Sequence, residues 1–224
     1  MPTEQTPVTQ GDGSKRDQII SYRRLRVLIG ATGVLLPILV WIGKIISEKN
    51  FVLEFSISDY YNNGAAGDIL VGVLFVMGFF LMSYKGPELI DNKVANIGCV
   101  AALGVALFPT TFCSDKCWVY YAHFTFALTL FLVFIAFSIW LFRKSKPGKE
   151  MTPQKKNRNK VYLTCGIIII LCIVAIALCL ICLDNSVNEK YHLVYWFESL
   201  ALVAFGISWI TKSESFYLKD REPG

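Results

Sequence analysis

The chain has 224 residues, of which 54% are hydrophobic and only 17% are charged, and its formal net charge is +5. This composition leaves little sequence for a soluble domain. It also contains no folded basic region, which excludes a nucleic-acid-binding function. Long apolar runs instead indicate a protein that lies in a membrane.

Polar segments are found at both ends of the chain. Residues 1–22 contain Pro and Gly and no apolar h-region, so we expect a disordered cytoplasmic tail rather than a cleaved signal peptide. Residues 214–224 are predicted to form a second cytoplasmic tail. One membrane domain, residues 23–213, lies between the tails.

Six apolar stretches are long enough to cross a hydrocarbon layer, which takes about 20 helical residues for a thickness of about 30 Å. They cover about residues 27–47, 68–84, 94–110, 118–142, 161–183 and 193–211. Lipid offers no hydrogen bonds to the backbone, so each crossing is a helix or part of a closed barrel. Continuous runs such as CGIIIILCIVAIALCLICL lack the alternation of barrel strands. The predicted fold is all-α, a polytopic bundle of six transmembrane helices.

Basic residues predict the orientation of this bundle. With both termini in the cytoplasm, 18 of the 22 Lys and Arg residues lie on the inner side, eight of them in the segment from Arg143 to Lys160. This asymmetry agrees with the positive-inside rule. We therefore expect the segment to contact an anionic inner leaflet.

Seven cysteines divide by predicted depth. Cys113 and Cys117 lie in the outer loop TFCSDKCW and could form a disulfide in an oxidising compartment. Cys165, Cys172 and Cys179 recur every seven residues in the fifth helix. That spacing is typical of a small-residue packing seam between helices.

Three ionisable residues interrupt the apolar stretches: Asp68 opens the second, His123 lies about one turn into the fourth, and Glu198 lies about two turns into the sixth. Each needs a partner or a function, because a charge at the bilayer centre costs about 2.5–3.5 kcal/mol on insertion scales. In the predicted topology all three lie in the outer half of the bilayer. The loop before the second helix ends at the same level. We therefore predict one ligand-binding cluster, formed by Ser58, Asp59, Tyr60, Asp68, His123 and Glu198.

Simpler structural explanations exist for each of these residues. Asp68 is explained equally well as a helix cap, and His123 as an interhelical hydrogen-bond donor. Glu198 lies deepest, so we expect it to be uncharged or paired, with His123 as its partner.

The same cluster could also carry out chemistry, for which Asp68, His123 and Glu198 are the candidate residues. Ser58, His123 and Asp68 could be arranged as a Ser–His–Asp triad, although no GxSxG motif is present. Asp68, His123 and Glu198 could supply three ligands to a metal ion, although no HExxH motif is present. No cofactor is predicted with a strong motif behind it.

The order of these features resembles a six-helix membrane family, that of the damage-regulated autophagy modulators. The similar residues are the ISD motif (Ile57, Ser58 and Asp59), a His near the start of the fourth helix (His123) and a Glu in the sixth (Glu198). This family includes yeast-type plasma-membrane lipid regulators and the GPI-anchor lipid-remodelling factor. Several stretches, such as FESLALVAFGISW, are also similar to bacterial membrane proteins of the same layout. The resemblance implies an association with membrane lipids.

Three functional hypotheses follow from the sequence. The leading one is a multi-pass membrane protein that binds a lipid headgroup or a sterol, as a sensor, an organiser or a remodelling accessory. The second is an intramembrane lipid hydrolase or acyltransferase, and the third is a small-solute or ion transporter. The membrane could be a bacterial inner membrane or a eukaryotic plasma membrane or endomembrane, and assembly as a homo-oligomer is left open.

Overall fold

The computed structural model describes residues 10–110, 117–145 and 150–213. Within these ranges the chain forms seven α-helices: α1 (Gln10–Glu48), α2 (Gly64–Ser83), α3 (Leu89–Leu107), α4 (Cys117–Ile135), α5 (Pro153–Cys182), α6 (Asn185–Tyr191) and α7 (Leu193–Lys212). A 3-10 helix (Ser58–Asn62) precedes α2. After α4 the chain continues through a π-helical turn (Ala136–Trp140) and a 3-10 turn (Leu141–Arg143).

Six of these helices are long and apolar enough to cross a membrane, and only the short α6 is not. Their outward surfaces carry many exposed large apolar side chains, such as Leu128 and Leu132 on α4 and Leu178 and Ile181 on α5. Such surfaces suit contact with lipid. The predicted all-α, multi-pass membrane fold is confirmed.

The six long helices close into a ring. Each packs against the next in the order α1, α2, α3, α4, α5 and α7, and α7 packs back against α1. The α1–α7 crossing is tight because Gly30 and Gly206 face each other. A Cβ atom at Gly30 would lie 2.6 Å from the backbone oxygen of Gly206. Glycine is required here because it lets two helix backbones approach closely.

Several helices begin earlier than their apolar stretches suggest. Residues 10–22, predicted to be part of a disordered tail, belong to α1. α2 begins at Gly64 rather than near residue 68, with Asn63 as its N-cap. α5 begins at Pro153, where Thr152 accepts a hydrogen bond from the backbone N–H of Lys155. Polar helical turns therefore extend beyond the hydrophobic segments, which an apolar window alone does not detect.

α3 also begins earlier than predicted, at Leu89 instead of residue 94. Its first turn is closed by a capping box in which Glu88 and Asp91 satisfy each other's backbone N–H groups. Lys144 adds an ion pair to Glu88 at 2.8 Å and a contact to Asp91 at 3.5 Å. The chain just after the 3-10 turn that follows α4 is thereby held against the start of α3.

Aromatic side chains fill the ring near the end at which α1 begins and α7 ends, hereafter the terminal end. Phe134 and Phe205 stack with their centroids 3.6 Å apart. Further along, the Trp209 ring contacts Tyr84, Phe137 and Phe142, each with its centroid 5.0 Å away. These residues are buried, so packed rings occupy this half of the bundle.

Candidate functional site

The opposite end of the bundle is closed by residues 49–63, hereafter the plug segment. Two buried side chains of this segment, Ile57 and Tyr60, point into the core. Tyr60 accepts a hydrogen bond from the backbone N–H of Glu54 at 3.3 Å, and its ring lies 6.0 Å from that of Tyr195 on α7. The segment is therefore a structured part of the bundle.

Lys44 fastens the plug segment to the end of α1. Its ammonium group, buried in the protein, forms an ion pair with Glu54 and donates to the backbone oxygen of Val52 at 2.9 Å. Glu54 also accepts from the amide of Asn63 at 2.8 Å. These two acceptors offset part of the cost of burying the ammonium group, which explains how a lysine is held at the end of an apolar helix.

Glu198 and its neighbours on α7 hold the plug segment from a second side. The Glu198 carboxylate accepts a hydrogen bond of 2.7 Å from the backbone N–H of Ile57. The backbone N–H of Tyr195 donates to the carbonyl of Phe55 at 3.1 Å. His192, whose backbone is in the left-handed region, places its Nδ1 3.2 Å from the carbonyl oxygen of Glu54.

His123 on α4 holds the plug segment from a third side. Its Nδ1 lies 2.6 Å from the carbonyl oxygen of Phe108, and its Nε2 lies 3.0 Å from Oγ of Ser58. A carbonyl oxygen only accepts, so Nδ1 carries a proton. In the neutral imidazole Nε2 is then an acceptor, and the Ser58 hydroxyl donates to it.

Asp59 of the plug segment completes the cluster with Glu198 and His123. Its carboxylate accepts from the hydroxyl of Ser56 at 2.7 Å and lies 3.5 Å from that of Thr110. It is close enough to interact electrostatically with both His123 and Glu198. Burial raises the pKa of Asp59, and the hydrogen bonds from Ser56 only partly oppose this effect.

The structure therefore brings together four of the six residues predicted to bind a ligand: Ser58, Asp59, His123 and Glu198. Tyr60 lies in the same segment but faces the core. Asp68 is elsewhere: its side chain is exposed in the second turn of α2. No hydrogen bond or ion pair links it to another described residue.

Two details of the predicted site need correction. Glu198 was expected to pair with His123, but each binds a different residue of the plug segment, Ile57 and Ser58 respectively. Asp68 was expected to open α2 as a cap, but the helix begins a turn earlier and its first turn holds no acidic residue. For Glu198 the reason is that the plug segment folds into the bundle and provides the backbone N–H group that the carboxylate binds. For Asp68 the reason is that α2 begins at Gly64, soon after the 3-10 helix.

A metal site is not formed by the predicted residues. Among residues 10–110, 117–145 and 150–213, no three His, Cys, Asp or Glu side chains lie together in a way that could hold a metal ion. The predicted Cys113–Cys117 disulfide lies outside the described part of the chain, since Cys113 is not described and only the backbone of Cys117 is. Cys165, Cys172 and Cys179 are free thiols buried in the protein on α5.

Some important partners could not be found from residue types alone. The carbonyl of Phe108 and the N–H of Ile57 are backbone groups, which leave no signal in a sequence. Thr110 did leave one: it follows Pro109 at the end of the third apolar stretch, at the level predicted for the cluster. The pair formed by Lys44 and Glu54 was also missed.

The chain matches no protein-family model, no curated protein and no solved structure in the comparisons. The resemblance to the damage-regulated autophagy modulator family therefore stays a prediction. The fold places the chain among multi-pass α-helical membrane proteins.

Proposed function

We propose that this protein binds a membrane lipid through its headgroup at the cluster of Ser58, Asp59, His123 and Glu198. The supporting observation is that α4, α7 and the plug segment place these polar side chains at one level of the bundle. Ionisable side chains in apolar helices are costly and mark ligand sites in membrane proteins. A membrane lipid can reach such a site laterally, from within the bilayer.

The depth of the cluster fits the headgroup and ester region of a bilayer. His123 follows the first residue of α4 by six positions and Glu198 follows that of α7 by five, which places them about 8–9 Å along each helix axis. Exposed aromatic rings of Trp118 and Tyr121 stand nearer the start of α4. Such rings are typical of the membrane–water interface.

Partial exposure leaves the cluster accessible. The side chains of Ser58, Asp59 and Glu198 are only partly buried, although each makes hydrogen bonds. A headgroup with hydroxyl or amine donors would find free lone pairs on the two carboxylates, which accept more than one bond each. Binding there would sense or organise lipid without opening the bundle.

Orientation is part of the same proposal. The terminal end would face the cytoplasm, since most basic residues lie in the tails and loops on that side. The segment from Arg143 to Lys160 would then contact anionic lipids of the inner leaflet. The ligand site would lie in the outer leaflet.

A transporter is the less favoured reading. A transported solute needs a polar route through the whole bundle, but the half towards the termini is filled by the stacked Phe134 and Phe205 and by the rings around Trp209. One buried polar contact in that half joins the hydroxyls of Ser138 and Ser208, at 3.0 Å. These two hydroxyls satisfy each other.

The test is the lipid that remains with the purified protein. The full chain is extracted in a mild detergent, and its bound lipids are identified and quantified by mass spectrometry. Glu198→Gln and His123→Ala should lose the retained lipid while their circular dichroism stays helical. Asp68→Asn is the matched control, because it removes a carboxylate at the same end of the bundle but outside the cluster. Unchanged lipid in both cluster variants would refute the proposal.

A further inference from the structure

Ser58 and His123 have the geometry of an activated nucleophile and its base. The Ser58 Oγ lies 3.0 Å from Nε2 of His123, and Nδ1 of the same ring is 2.6 Å from the carbonyl of Phe108. Nucleophilic catalysis by serine needs a base within hydrogen-bond reach and a third group that orients that base. Here a backbone carbonyl takes the orienting role.

The Ser58 hydroxyl takes no part in closing the turn in which it lies. The turn before the 3-10 helix is closed by Ser56, whose Oγ accepts from the backbone N–H of Asp59 at 3.2 Å and donates to its carboxylate. Ser58 therefore does not cap this turn. Its hydroxyl points instead to a histidine that is 3% exposed.

Burial of His123 disfavours a charged ring, and two neighbouring groups oppose that cost. When Nε2 takes the hydroxyl proton the ring becomes a cation, which the Phe108 carbonyl and the nearby Asp59 carboxylate both stabilise. Asp59 thus supplies the negative charge that the sequence had suggested for Asp68. The base is shielded from water, whereas Ser58 is partly exposed.

We propose that Ser58 is a nucleophile that accepts an acyl group from an ester-linked lipid, with His123 as its base. The proposal rests on the lipid-binding site above and adds a reaction to it. In the proposed outer-leaflet orientation, a depth of about 8–9 Å along α4 and α7 would bring the cluster to the ester carbonyls of glycerolipids, just inside the headgroups. Phe108 is a positioning residue, acting through its backbone oxygen.

The reaction balances without a cofactor. Oγ of Ser58 attacks the ester carbonyl carbon while its proton passes to Nε2 of His123. The C–O bond to the lipid alcohol then breaks, and that oxygen leaves with the proton from His123. Water, or another alcohol, attacks the acyl-serine in the same way, with His123 again taking and returning one proton. The products are the free Ser58 and a fatty acid or a new ester.

A fluorophosphonate probe tests the nucleophile directly. It reacts with an activated serine by forming an O–P bond as fluoride leaves, and the adduct is found by intact-mass and peptide mass spectrometry. The full chain in lipid nanodiscs should gain one adduct, on Ser58. Ser47 is an internal control in the same molecule, because its hydroxyl donates to the backbone oxygen of Gly43 at 2.9 Å and has no base. A folded wild-type protein without an adduct on Ser58 would overturn the proposal.

Variants show whether labelling of Ser58 depends on His123 as a base or only on exposure of the hydroxyl group. Ser58→Ala should abolish labelling, and Ser47→Ala should leave it unchanged. His123→Asn, in a sample that melts as a folded protein, should lower the labelling rate by about 10²–10⁴-fold, the usual contribution of a general base. Labelling of that variant at the wild-type rate would refute the role of His123. The wild-type comparison of Ser58 with Ser47 stands even if this variant fails to fold.

Lipid content distinguishes the two proposals. Retained lipid in the wild type without labelling of Ser58 removes the acyl-transfer proposal and leaves lipid binding in place. Labelling of Ser58 in a protein that retains no lipid removes the binding site but not the nucleophile. Retained lipid together with labelling of Ser58 in the wild type supports the acyl-transfer proposal.

Discussion

His123 and Glu198 hold consecutive residues of one segment from two different helices. His123 on α4 binds the side chain of Ser58, and Glu198 on α7 binds the backbone N–H of Ile57. α4 and α7 are separated in the ring by α5, so the plug segment connects them across the mouth of the bundle. The ISD motif is thus both a structural clamp and the centre of the candidate site.

Glu198 should stabilise the protein mainly as a hydrogen-bond acceptor. Glu198→Ala leaves the buried N–H of Ile57 without its acceptor, which should lower the free energy of unfolding by about 1–3 kcal/mol. Glu198→Gln keeps an oxygen at this position and should lose far less. Unfolding by a denaturing detergent, followed by circular dichroism, measures both. Equal losses would show that the negative charge, rather than the acceptor, holds the plug segment.

Glu54 should matter because it compensates a buried cation. Glu54→Ala leaves the ammonium group of Lys44, 4% exposed, with the Val52 carbonyl as its remaining described acceptor. Since Glu54 itself is partly exposed to solvent, we expect a loss of roughly 1–3 kcal/mol, below the usual cost of breaking a fully buried pair.

Glu48→Ala is the matched control for Glu54→Ala, because Glu48 is exposed at the end of α1. We expect a change within about 0.5 kcal/mol for this control. Both variants are compared by their melting temperatures in the same detergent. A similar small change in both would mean that Lys44 finds another partner or reaches water.

The membrane fold could be predicted from the sequence because each apolar stretch is a separate and strong signal. Each apolar stretch is long enough to be recognised alone, so all six spans were found, although the fifth begins at Pro153 and not near residue 161. Polar turns such as 153–160 were not predicted as helix, since Thr152 and Pro153 start α5 by capping and not by hydrophobicity. The short α6, with the sequence NSVNEKY, was not predicted because it is polar and has only seven residues.

The candidate site was only partly predictable, because the depth of a residue along a helix does not give the direction of its side chain. Counting residues placed Asp68, His123 and Glu198 at one level, but it did not give the direction in which each side chain points. Asp68 is exposed, and the acidic residue that interacts with His123 is Asp59. The partners of His123 and Glu198 include backbone groups of Phe108 and Ile57, which depend on how two loops fold together.

The stability of the protein should depend on pH through Asp59, because its ionised form is unfavourable in the folded state. Burial raises its pKa in the folded state, so folding is penalised while Asp59 is ionised. The penalty begins to shrink as the pH falls through the folded pKa and is gone below the unfolded pKa. Asp59→Asn removes this penalty and keeps an oxygen acceptor for Ser56. The variant should therefore melt above the wild type at neutral pH, and the difference should shrink as the medium becomes acidic.

Melting curves of both proteins across this pH range check the prediction, with Asp68→Asn as the control because Asp68 is exposed. The control should show a difference from the wild type that changes little with pH. A gain for Asp59→Asn that grows on acidification has the wrong sign and would contradict a raised pKa.

Glycine at the α1–α7 crossing should be irreplaceable, whereas an exposed glycine should not. A Cβ at Gly206 would collide with the backbone oxygen of Gly30 and lie 3.1 Å from the backbone nitrogen of Val34, atoms that cannot rotate away. Gly206→Ala should therefore destabilise the bundle by about 1–3 kcal/mol, the usual cost of overpacking. Gly72→Ala meets no atom within 4 Å and should stabilise α2 by about 0.5–1 kcal/mol. Detergent unfolding compares the two, and a loss at Gly72 equal to that at Gly206 would mean that backbone flexibility, not close approach, explains both glycines.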